Sequence, residues 1–121
     1  MSLLLTMSLM DSGDWSQFRG PNSDGYAAKV ESPIEWSDTK NVAWKVRVPG
    51  LGWSSPAVAN GKIFLTTAVP KDKGLSLRAM ALDAKTGKVV WDREVRAVEK
   101  APAIHVKNSH AWSSPRIVDS F

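Results

Sequence analysis

The chain of 121 residues contains no cysteine, which excludes disulfide staples and thiolate metal sites. It leaves the redox compartment open, because secreted proteins can also be cysteine-free. Clustered charge is lacking too. The net charge of +4 arises from 16 basic and 12 acidic residues spread along the chain, without the Lys/Arg stripe that nucleic-acid binding needs. Long apolar runs are missing: Leu3 to Met10 is too short to cross a bilayer, which takes about 20 apolar residues, so no membrane span is expected. Residues 1–12 read as a leader or signal-peptide remnant. No basic residue precedes the apolar stretch and no Ala-x-Ala site follows it before Asp11, so a clipped signal peptide and a misplaced start both stay open. Tyrosine and phenylalanine are scarce, at one and three, whereas tryptophan occurs six times. Trp15, Trp36, Trp44, Trp53, Trp91 and Trp112 therefore call for a shared structural explanation.

Residues 13–41 are rich in Gly, Pro, Ser, Asn and Asp, with turn signals at Arg19-Gly20-Pro21-Asn22 and Ser23-Asp24-Gly25, and read as an irregular lead-in. Residues 42–48 then alternate Val42, Trp44, Val46 and Val48 with Ala43, Lys45 and Arg47, the pattern of a half-buried strand ended by Pro49-Gly50. Residues 52–95 divide into four short strands. Ser55 to Ala59 is followed by Asn60-Gly61, the dipeptide best suited to a two-residue hairpin turn, and Lys62 to Val69 returns as its partner. The consecutive Ile63, Phe64 and Leu65 suit an interior strand buried on both faces. Leu75 to Ala81 alternates as a third strand, Asp83 to Gly87 turns, and Lys88 to Val95 forms a fourth. The product is a four-stranded antiparallel meander. No helix of ordinary length is expected. Even residues 97–103 lack an apolar stripe and run into Pro102, so residues 96–111 read as a loop.

One string recurs in altered form. Trp53-Ser54-Ser55-Pro56-Ala57-Val58 returns as Trp112-Ser113-Ser114-Pro115-Arg116-Ile117. Trp44 and Trp91 are 47 residues apart and Trp53 and Trp112 are 59 apart, as one period near 47 with a loop insertion would give. Four strands in a period of this length point to a propeller blade, since solenoid repeats of similar length are mainly helical. Residues 112–121 are then the first strand of a second, truncated blade.

The run Ala81-Leu82-Asp83-Ala84-Lys85-Thr86-Gly87-Lys88-Val89-Val90-Trp91 resembles the tryptophan-docking motif of the PQQ-like (pyrroloquinoline-quinone repeat) β-propellers, with Ala81, Asp83, Thr86, Gly87 and Trp91 filling its fixed positions. Residues 53–64 resemble the first two blade strands of that family. Asp14-Trp15-Ser16-Gln17-Phe18-Arg19-Gly20-Pro21 resembles the opening segment of its secreted bacterial members, of the outer-membrane-assembly lipoprotein type. The resemblance implies an all-β fold, a fragment of a quinoprotein-type propeller with four-stranded antiparallel blades. It further implies that Trp91 packs between blades and stacks on the motif of the next one. Trp44 holds the equivalent place, so residues 42–48 would be the closing strand of the ring.

Members of the family are either quinoprotein dehydrogenases, which oxidise alcohols or sugars with PQQ and calcium, or scaffolds that bind no cofactor. The dehydrogenases similar to this chain carry a vicinal cysteine pair over the quinone, and cysteine is absent here. The reading favoured is a non-catalytic binding or scaffolding module of an extracytoplasmic propeller, with no catalytic, cofactor or metal residue in this chain. The alternative is the N-terminal piece of a PQQ-dependent dehydrogenase. Its partners would be the remaining blades, a second copy, or another protein. His105 and His110 have a spacing that fits neither a helix face nor a strand face, and a solvated or loop-capping role outweighs a metal site. Insertions on a propeller rim often form its binding surface, which makes Ile104, His105, Lys107, Asn108 and His110 contact candidates. Ser54, Ser55, Ser113 and Ser114 recur at one repeat position, which argues for structure over nucleophilic chemistry.

Overall fold

A computed structural model describes residues 13–27 and 33–118. The leader assigned to residues 1–12 and the chain end at Phe121 lie outside the described residues. Four strands occur in chain order: β1 (Ala57–Ala59), β2 (Lys62–Pro70), β3 (Leu75–Asp83) and β4 (Val89–Val98). They form one antiparallel sheet in the order β1-β2-β3-β4, a simple meander and the architecture of a propeller blade. There is no helix among the described residues, and hence none long and apolar enough to cross a membrane.

Local chemistry explains each turn. Asn60 and Gly61 take φ values of 50° and 71°, the paired positive angles of a hairpin turn whose twist matches its strands, and they set Ala59 opposite Lys62. Lys71 donates its N–H to the carbonyl of Gly74 to close the next connection. The ladder between β3 and β4 slips twice, between Leu77 and Arg78 and between Ala81 and Leu82. The extra residues fall on β4, at Val95 and Val90, and such bulges bend and twist the strand that carries them. β4 also runs on to Val98, past the Val95 limit read from the sequence, because Leu75 and Ser76 of β3 still offer partners to Val98 and Ala97.

The core consists of small side chains, Ala57, Ala59, Ala68, Ala81 and Ala111, together with Met80 and Leu82. β2 is interior in the sheet, but Ile63, Phe64 and Leu65 are only half-buried, which corrects the expectation of burial on both faces. A single sheet has no second sheet to cover it, and only loops reach its faces among the described residues. Residues 42–48 likewise form no strand. Trp44 and Val48 are half-buried, but Val42 and Val46 are exposed along with Ala43, Lys45 and Arg47, so the expected alternation survives in burial at only two of its four apolar positions. No backbone ladder accompanies it, because no described strand lies alongside to pair. Residues 112–118 are also without an assigned strand, although they lie against residues 53–55. Leu51 forms a bridge to Ala68, so the edge begun by β1 continues, after an interruption, along the far half of β2.

Candidate functional site

The most organised local geometry surrounds Asp83, at the end of β3. One of its carboxylate oxygens accepts from the Lys85 N–H at 3.0 Å, the Thr86 N–H at 2.8 Å and the Thr86 hydroxyl at 2.8 Å. Three donors on one oxygen favour the charged form. The Thr86 hydroxyl leads in holding the Asp83 carboxyl below its usual range, followed by the Thr86 and Lys85 backbone. The turn then closes through the Gly87 N–H to the Asp83 carbonyl and the Asp83 N–H to the Lys88 carbonyl, both at 2.8 Å. Ala84 donates to the Gly61 carbonyl at 2.9 Å, which ties this turn to the neighbouring hairpin.

Trp44 sits on that turn. Its indole Nε1–H donates to the Ala84 carbonyl at 3.0 Å, and its ring covers Gly87 so closely that a Cβ there would lie 2.5 Å from ring carbons. Gly87 has φ of 71° and is buried. The position thus demands glycine twice, for its left-handed backbone and for the ring above it. Ala81, fully buried, lies directly across the ladder from Trp91. Trp91 is not at the turn. It stands half-buried on β4, tilted 52° against Phe64 with ring centres 6.1 Å apart, and the Arg93 guanidinium lies 5.9 Å from its ring. Of the six motif residues, Asp83, Thr86, Gly87 and Trp44 therefore converge, whereas Ala81 and Trp91 form a cross-strand pair beside them.

The two Trp-Ser-Ser-Pro strings meet in a polar seam. The Trp53 N–H donates to the Ala111 carbonyl at 2.9 Å and the Ser55 N–H to the Ser114 hydroxyl at 2.9 Å. The Thr66 hydroxyl lies 3.0 Å from the Ser54 hydroxyl and 3.2 Å from the Ser113 carbonyl. Each of these serines is thus engaged in joining the strings. Trp53 and Trp112 point outward, 65% and 68% exposed.

Residues of the contact loop do not converge. The His105 ring accepts from the Lys107 N–H at 3.2 Å, Asn108 accepts from the Ser109 N–H at 2.8 Å, and His110 Nε2 lies 2.9 Å from the Pro102 carbonyl. Ile104 is 39% exposed. His110 and Pro102 do line a cavity of about 280 Å3 against Leu75, Leu77, Arg96 and Val98. A second cavity of about 340 Å3 lies between β2 and the segment before β1, with Val48, Leu51, Ser54 and Thr66 in its wall. The quinone and calcium of the alternative reading would need carboxylate ligands and cationic partners in one cleft. Neither cavity wall carries a carboxylate, and the donors present do not fit that pair.

A charged network on β3 and β4 escaped the sequence reading. Ser76, 1% exposed, donates to Glu94, which also binds Lys71 at 2.5 Å, and Arg78 binds Asp92 at 2.7 Å. Lys71 and then Ser76 hold the Glu94 carboxyl below its usual range, while the Asp92 hydrogen bond raises the Arg78 guanidinium. The available signal was Asp92 and Glu94 at period two on β4, facing Arg78 on β3.

Comparison with known families agrees with this geometry. The family model described as outer membrane protein assembly factor BamB, of the PQQ repeat type, matches residues 27–121. No curated protein and no solved structure matches the chain. A four-stranded meander, the Asp83 to Gly87 turn and a family match over most of the length coincide, and the chain belongs to the PQQ-repeat family of the outer membrane protein assembly factor BamB.

Proposed function

We propose that this chain is the binding and scaffolding part of an extracytoplasmic PQQ-type propeller protein, with other polypeptides as its ligands. The observation that carries the reading is the seating of Trp44 on the Asp83 turn. There the side chains of the strongest motif are spent on packing and turn closure, and the tryptophan that fills the site comes from the chain itself. Surfaces suited to macromolecular contact remain. Val95 on β4 is 70% exposed, Trp53 and Trp112 stand outward, and no described strand covers the outer edge of β4. The family description, an outer membrane protein assembly factor, supports a place outside the cytoplasm and work on other proteins. Further blades, a second copy of the chain and a separate protein are the partners that such surfaces suit.

Photo-reactive amino acids at Val95 and at Trp112, introduced into the protein in its own cells, test the reading. Crosslinks to extracytoplasmic polypeptides, with no quinone absorbance and no dye-linked alcohol oxidation after addition of PQQ and calcium, are the expected result. Quinone uptake with alcohol oxidation, or crosslinks confined to cytoplasmic proteins, would overturn it.

A further inference from the structure

We propose that residues 14–16 act as a wedge strand that links equivalent positions of the two repeats. The two Trp-Ser-Ser-Pro strings touch directly at their starts, where Trp53 bonds Ala111 and Ser55 bonds Ser114. Three residues further on they no longer bond each other. Val58 and Ile117 occupy the same place, five residues after Trp53 and Trp112 respectively, and residues 15–16 lie between them. On one side Trp15 exchanges both backbone bonds with Val58, N–H to carbonyl at 2.7 Å and 2.8 Å. On the other side the Ser16 carbonyl accepts from the Ile117 N–H at 2.8 Å. The Asp14 carboxylate accepts from the Asn60 N–H at 3.1 Å, which fixes the register at the hairpin end. Ser16 is 7% exposed, as an interposed strand should be.

The segment is locked by its own turn. The Trp15 ring covers Gly20, whose φ is 78°, and a Cβ there would lie 2.8 Å from the ring. Gly20 donates to the Gln17 carbonyl at 3.0 Å and accepts from Ser23 at 3.0 Å, and the Gly25 N–H reaches the Arg19 carbonyl at 2.9 Å. A tryptophan laid on a left-handed glycine is the same device as Trp44 on Gly87. This second instance lies before residue 27, where the family match begins. The wedge lies in the lead-in, outside the four strands of the blade. It gives residues 13–20 a defined task, to join equivalent positions of consecutive repeats that do not bond each other.

The test is amide hydrogen exchange on the full chain, comparing wild type with Trp15→Pro, which removes the donor to Val58, and Gly20→Ala, which expels the ring. Protection at Val58 and Ile117 should fall together by roughly five- to tenfold, the scale of one or two lost backbone bonds, while Met80 and Leu82 keep theirs. Asp14→Ala, the mild variant, should lower both in the same ratio by a smaller factor. If Ile117 keeps its protection while Val58 loses it, or if Met80 and Leu82 lose as much as either, the wedge is refuted.

Discussion

Gly87 and Gly61 share a φ of 71° but differ in what lies above them: the Trp44 ring covers Gly87, and nothing approaches within 4 Å of a Cβ built on Gly61. Substituting each by alanine therefore separates backbone strain from packing. The strain is common to both and costs about 1 kcal/mol for a left-handed alanine. Gly87→Ala adds the expulsion of a half-buried indole, which by comparison with overpacked cores costs about 1–3 kcal/mol more. The expected totals are about 1 kcal/mol for Gly61→Ala and about 2–4 kcal/mol for Gly87→Ala. Urea unfolding at unchanged m value reads both directly. In a Trp44→Ala background the excess should vanish, leaving Gly87→Ala at about 1 kcal/mol, so that a double-mutant cycle isolates the contact. Equal destabilisation by the two alanines in the wild-type background would refute the claim that Trp44 is docked on the turn.

Acid should attack the same turn. The Asp83 carboxyl is held low by Thr86, so its contribution is present above the ordinary carboxylate range and is lost as pH falls through the lowered folded-state value. Urea midpoints between pH 7 and about 3 should decline less steeply for Asp83→Asn than for wild type, and parallel declines would contradict this. Glu94 follows the same sign through Lys71 and Ser76, and Lys71→Met should flatten the acid dependence to a smaller extent because that pair is open to solvent and salt. Thr66→Val should cost about 1 kcal/mol by opening the seam between Ser54 and Ser113, read as a lowered urea midpoint. An unchanged midpoint would show that the seam contributes nothing.

Short-range chemistry was the legible part of this chain. Asn60-Gly61 announces its hairpin because few other dipeptides accept two positive φ angles. The alternation in residues 75–81 and the spacing from Asp83 to Trp91 place β3, its turn and β4 to within a few residues. Two expectations failed for one physical reason. Ile63, Phe64 and Leu65 signal deep burial, and Val42 to Val48 signal a strand, but both patterns describe surfaces that need neighbouring elements to cover or pair with them. A sequence pattern records what a segment is suited to meet, and it meets only what lies beside it. Trp15 was illegible in another way. It falls outside the repeat spacing, and its place between Val58 and Ile117 depends on contacts more than 40 residues away, which no local periodicity encodes. At the docking turn the residue types were readable, and the resemblance puts Trp91 on the motif of the next blade, not on its own turn. It places Trp44 in a ring-closing strand, and only the fold shows Trp44 on Gly87, with Trp91 against Phe64.

Trp44 seats on the strongest motif in the chain, and proton NMR of its side chain checks this contact. A slowly exchanging indole N–H bonded to the Ala84 carbonyl is expected, with Gly87 Hα protons shifted upfield by the ring and a direct Overhauser contact to it. An indole N–H that exchanges at the rate of a free side chain, with no contact to Gly87, would contradict it.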